Sequence, residues 1–192
     1  MIESLGVAPA AAIGMLAAYF VGGVVKGGLG FGLPLVTIAI TPLFVPVDLA
    51  IATNAVVLPF VNLVQIRQAG GLAETLRRFW PLILPLCLIL PLGVAIGRQV
   101  SAEALTLALG LAVMGFTLFQ WVNPRLTLAS RLEKPVGAVT GVLAGAVGGL
   151  LTINGPFFIL YLVGLGVDRR QMMAALGVFF LLTGLLLSIS FL

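Results

Sequence analysis

Hydrophobic positions along the chain gather into long runs, separated by short polar or glycine-rich breaks. The apolar segments fall at about 8–25, 33–46, 49–66, 80–97, 103–121, 136–151, 155–166 and 171–192. A membrane-crossing helix takes roughly 20 predominantly apolar residues, so the second and seventh segments are short for a full crossing. Each of those two follows a glycine-rich break. The pattern predicts an all-α integral membrane protein with about six to eight crossings. Pro46-Val-Asp48 reads as a tight corner and Asn123-Pro124 as a helix end, because proline disfavours the helical region for the residue before it. Pro59, Pro85 and Pro91 read as kinks within helices. The charged stretch from Arg67 to Phe79 and that from Val122 to Pro135 read as loops.

One stretch interrupts the apolar run from Val7 to Val47: Gly22-Gly-Val-Val-Lys-Gly-Gly-Leu-Gly-Phe-Gly-Leu-Pro34. In hydrocarbon every backbone N–H and C=O needs a partner. Non-helical chain at membrane depth therefore survives where protein buries it or where it lines a wet cavity. The stretch is expected to be the unwound middle of a broken helix or a tight hairpin, beside which a small polar solute would bind. Displacing the chain on itself by 122 residues sets Pro34 on Pro156, Gly23 on Gly145 and Gly27 on Gly149. The Pro46 corner then falls on Asp168-Arg-Arg170, and Ala52 on Ala174. This predicts a single transmembrane domain over residues 1–192, with one repeat at about 8–121 and a second at about 136–192. Duplicated units with interruptions in matching places point to a transporter site between the halves.

Composition narrows the class. With 61% hydrophobic and 8% charged residues and a mean hydropathy of +1.24, the chain cannot clothe itself for water. The net charge of +4 comes mostly from Lys and Arg in short loops, which argues for topology and against nucleic acid as a partner. With no histidine and the single cysteine Cys87, a disulfide, a clustered thiolate metal site and histidine-dependent catalysis within the chain are excluded. No cofactor or metal is expected, and no enzyme activity. The amino end lacks the basic region of a signal peptide and is expected to be retained. The two basic loops are expected in the cytoplasm. Each glycine break either joins two half-helices of one crossing, giving parallel repeats with Arg169-Arg170 outside, or turns a hairpin, giving inverted repeats with Arg169-Arg170 in the cytoplasm. The positive-inside rule favours the second arrangement.

Lys26 is the basic residue well inside an apolar run. It either snorkels to the headgroups or faces a cavity, since a charge at bilayer mid-depth costs about 2.5–3.5 kcal/mol on insertion scales. Glycine amides around it, at Gly27, Gly28, Gly30 and Gly32 up to Pro34, and the positive ends of helix dipoles suit an anion. In the second copy Thr152, Asn154, Gly155 and Pro156 occupy the matching break, where Thr and Asn either cap a helix or orient a solute. On the third segment Asn54, Asn62 and Gln65 fall within about 80° of one another at helical spacing. Such a stripe lines a path or hydrogen-bonds a neighbouring helix; for Thr53-Asn54, next to the corner, the cavity is the preferred reading.

The Gly22–Pro34 stretch, the corner leading into Asp48-Leu-Ala-Ile-Ala-Thr-Asn54, and Asn154-Gly-Pro156 with Gly166-Val-Asp-Arg-Arg-Gln171 together resemble the sulfite exporter TauE/SafE family over nearly the whole chain. The resemblance implies two copies of a multi-helix unit in the cell inner membrane or plasma membrane, moving small anions such as sulfite, sulfonates or sulfoacetate by alternating access. It implies a small anionic substrate and the lipid bilayer as partners, with a coupling proton or sodium ion and a homo-oligomer left open. By the offset, the second copy stops at Leu192 without partners for segments 80–97 and 103–121. Either the chain is cut short or a minimal form associates to close its cavity. The competing reading is a non-transporting membrane subunit or assembly factor of a larger complex.

Overall fold

The computed structural model describes residues 9–101, 103–104, 107–108, 110–111, 114–115, 118, 121, 127–151 and 154–191. Seven helices carry the argument: α1 (Pro9–Leu29), α2 (Leu33–Ile40), α3 (Val47–Ala69), α4 (Leu72–Gly97), α5 (Glu133–Leu151), α6 (Gly155–Gly164) and α7 (Arg169–Phe191). The described residues between 103 and 121 are also helical, and exposed. Four helical stretches, Pro9–Leu29, Leu72–Gly97, Ser130–Leu151 and Arg169–Ser190, are long and apolar enough to cross a membrane. No strand occurs among the described residues.

Several boundaries differ from the sequence expectation, and the glycine-rich stretch at the first break and the charged stretch from Arg67 to Phe79 both gain helix. The stretch from Gly22 to Leu29 is not unwound but continues α1, and the irregular chain shrinks to Gly30–Gly32. Glycine weakens a helix in water, but in lipid an intact helix is the local way to satisfy the backbone. The break is the hairpin of the two alternatives. Gly30 and Gly32 turn it with φ of 83° and 102°, a region that L side chains rarely adopt. Gly22 lets α2 fold back against α1, since a Cβ there would lie 3.2 Å from the Leu33 carbonyl oxygen. The supposed loop from Arg67 to Phe79 is likewise helical apart from Gly70 and Gly71, both at positive φ. Pro59, Pro85 and Pro91 lie within helices as expected. Asn123-Pro124 lies outside the described residues.

The scaffold is built on close approach of α4 and α5. A Cβ on Gly141, Gly145 or Gly149 would come within 2.2, 3.1 and 2.3 Å of the carbonyl oxygens of Leu82, Leu86 and Leu90. Paired positions advance together along both helices, so the two run parallel. Small residues at such spacing let backbones touch where lipid supplies no hydrophobic drive between helices. Edge-on ring contacts then tie α6 and α7 to α4, with Phe79 meeting Tyr161 at 6.1 Å and Phe179 at 5.8 Å, and a tilted contact of 5.0 Å joins Phe158 of α6 to Phe179 of α7.

Polar contacts fix the helix directions. Arg78 of α4 donates to both carboxylate oxygens of Glu133 on α5, at 2.6 and 3.2 Å, and to Gln171 Oε1 on α7 at 2.8 Å. Arg170 donates to the Ala69 carbonyl at the end of α3 at 2.9 Å, and Arg169 to the Gly28 carbonyl near the end of α1 at 3.2 Å. At the opposite end Arg98 bonds the Ser190 carbonyl. Hence α1 and α3 run toward the basic end, while α4, α5 and α7 start from it. Arg169-Arg170 shares that end with Arg67, Arg77-Arg78 and Lys134, the distribution that the positive-inside rule expects of one membrane face.

Gly149→Ala is expected to lower stability in detergent by about 1–3 kcal/mol, the usual effect of overpacking, measured by thermal unfolding. Gly23→Ala, with nothing within 4 Å of the added methyl, is expected to leave it unchanged or slightly raised.

Candidate functional site

Lys26 does not reach for the headgroups. Its residue is 5% exposed, and Nζ donates to Asn62 Oδ1 on α3 at 2.7 Å and lies 5.8 Å from the centre of the Phe180 ring on α7. The geometry follows from helical direction. Side chains lean toward the helix amino terminus, so a lysine one turn from the end of α1 points back into the bundle. Asn62 reaches it because α3 comes up beside the α1–α2 hairpin. Among the described residues the salt bridge is Arg78–Glu133, at the basic end; Lys26 meets a neutral amide and an aromatic face instead.

The α3 stripe is inward over its whole length. Asn54, Asn62 and Gln65 are each buried. Asn54 Oδ1 accepts from the Thr37 hydroxyl on α2 at 2.6 Å, and its amide nitrogen donates to its own helix at Ala50. Gln65 Nε2 donates to the Gly30 carbonyl at 3.0 Å and the Met173 carbonyl at 2.8 Å, clamping the first break onto α7. Its Oε1 is buried without a protein partner. Leaving such an acceptor unmet costs about 1–3 kcal/mol, so a water or a hydrogen-bearing guest is the natural donor. Thr53 is separated from its neighbour by the 100° helical step and bonds the Leu49 carbonyl of its own helix.

At the second break Asn154 is buried and donates through Nδ2 to the Thr183 hydroxyl on α7 at 2.8 Å. Gly155 faces the Phe180 ring, with a Cβ there 3.5 Å from Cζ. Pro156 and Pro34 occupy the first turns of α6 and α2, where a missing N–H does no harm. Thr152 lies outside the described residues. Gly27 and Gly28 are exposed, with the Gly28 carbonyl engaged by Arg169.

The described residues of the two breaks meet different parts of α7. One face of α7 links them: Met173, Leu176 and Gly177 against Gly30 and the Gln65–Ile66 turn, Phe180 against Lys26 and Gly155, Thr183 against Asn154. At 1.5 Å per residue, Met173 and Thr183 are about 15 Å apart along the helix, with Lys26 and Phe180 at intermediate depth. Sequence reading missed Thr37, Thr183 and Phe180; the available signal was a threonine at helical spacing within otherwise apolar runs. A separate cavity of about 170 Å³ lies at the basic end, lined by Gly70, Glu74, Arg78, Asp168 and Arg170 among others, away from Lys26.

The family model for the sulfite exporter TauE/SafE matches residues 15–192, spanning both breaks, Lys26 and the stripe of α3. The chain belongs to the sulfite exporter TauE/SafE family. No curated protein and no solved structure matches it. Membership makes it a multi-pass membrane transporter rather than an enzyme.

Gln65→Leu is expected to lower stability by about 1–3 kcal/mol through loss of both interhelical donors, read by thermal unfolding in detergent, with the loosened first break becoming more open to proteolysis.

Proposed function

We propose that the protein moves a small sulfur oxyanion or related organic anion by alternating access, with Lys26 as the charge that receives it. The observation that carries this reading is a buried lysine that, among the described residues, meets a neutral amide and a ring and no carboxylate. A cation in such a place attracts an anionic guest, and a guest that can leave makes a transport site where a permanent carboxylate would make a structural pair. Asn62 holds the ammonium in place, and Asn54 and Gln65 add hydrogen-bonding groups above and below it on the same helix face. Amides at the starts of α2 and α6, following Gly30–Gly32 and Asn154, supply partial positive charge at the two breaks. The opposed directions of α1–α3 and α5–α7, with matching breaks between, support an inverted repeat in which one half rocks against the other. Thr152 and Asn154 serve the second break in this scheme.

Sulfite uptake into proteoliposomes tests the reading. Lys26→Met is expected to lower uptake at least tenfold at subsaturating substrate while the protein stays folded. Asn62→Asp, which hands the ammonium an internal carboxylate, is expected to lose uptake as well but to keep or raise stability. Wild-type rates in both variants would remove Lys26 from the mechanism.

A further inference from the structure

Resting on that reading, we propose that Phe180 is the barrier across the anion path, a ring that separates the Lys26 niche from the Asn154 niche. The face of α7 that joins the two breaks carries Met173, Leu176 and Gly177 at one end, Thr183 at the other and the Phe180 ring between them. Toward the basic end it borders Gly30 and the Gln65 amide. Toward the other end Thr183 accepts from Asn154. Between them the Phe180 ring stands 5.8 Å from the Lys26 ammonium and in contact range of Gly155. An anion held at Lys26 cannot also touch the second break while the ring is there.

The surroundings suit a ring that changes position. Phe180 is only partly buried, whereas its neighbour Phe179 is fully buried in the aromatic cluster. Gly155 offers no side chain to pin it, and Phe158 meets it edge-on at 5.7 Å between centres. The cation–π contact favours the closed position while Lys26 is empty. An arriving anion takes over the ammonium, weakens that contact and removes a reason for the ring to stay. Substrate binding and release of the barrier are thereby coupled through one side chain.

The test is side-specific cysteine labelling in reconstituted vesicles, with Cys87→Ser as background and Asn62→Cys as the reporter beside Lys26. A membrane-impermeant, negatively charged methanethiosulfonate is applied from each face. With Phe180 intact, labelling from the face of the second break is expected to be slow. Phe180→Ala is expected to speed it at least tenfold, and Phe180→Leu, a smaller apolar change that preserves packing should the alanine variant fail to fold, to speed it by less. Equal labelling rates in all three, with folding confirmed by thermal unfolding, overturn the barrier. That result alongside normal sulfite transport by protein with its native Asn62 leaves the anion site standing, whereas accelerated labelling with no sulfite transport by the protein that keeps Asn62 and Phe180 upholds the barrier and rejects sulfite transport.

Discussion

A positive charge in a low-dielectric interior governs this structure. Placing Lys26 inside the bundle costs energy that a surface lysine never meets, and the surroundings are arranged around that cost: Asn62 accepts from it, Phe180 presents a ring face, and the α1–α2 hairpin keeps lipid away. None of these partners neutralises the charge. Under the proposed function, the site is stabilised enough to form and left incomplete in the one respect that an anion would correct.

The remainder of the fold holds this incomplete site still. Glycines on α5 bring its backbone against that of α4, making a tight parallel pair. Aromatic rings fasten α6 and α7 to that pair. Arg78 ties the starts of α4, α5 and α7 at the basic end, while Arg169 and Arg170 engage the ends of α1 and α3. The helix α7 thus packs one face toward α4 and turns another toward α1 and α3. Its position between the two halves explains why both breaks report to it.

Much of this was legible in the sequence because lipid imposes simple rules. Apolar length located the helices, and the offset between Pro34 and Pro156 set corresponding helices in step: α2 and α6 begin, and α3 and α7 begin and end, at positions separated by that same interval. The periodicity of Asn54, Asn62 and Gln65 identified the inward face of α3 before any contact was known. Thr53 fell outside because adjacent residues on a helix point about 100° apart, so nearness to the corner was a poor guide to its direction. Glycine content misled at Gly22–Leu29, where a propensity learned in water was applied inside a membrane. The depth of the two breaks was hidden for a different reason: it depends on where α7 crosses them, a packing outcome that no local pattern encodes. Phe180 was hidden among other phenylalanines of the same helix, distinguished only by its neighbours.

Anion-dependent stabilisation of the purified protein tests the central claim most directly. Thermal unfolding in detergent would be followed across rising sulfite, sulfonate and carboxylate concentrations, with chloride held at matched ionic strength. The account predicts saturable stabilisation by at least one sulfur oxyanion or organic anion, approaching about 2.7 kcal/mol at a hundredfold excess over its dissociation constant, and absent when Lys26 is replaced by methionine. Stabilisation of equal size without Lys26, or none from any anion in a protein that transports, would contradict it.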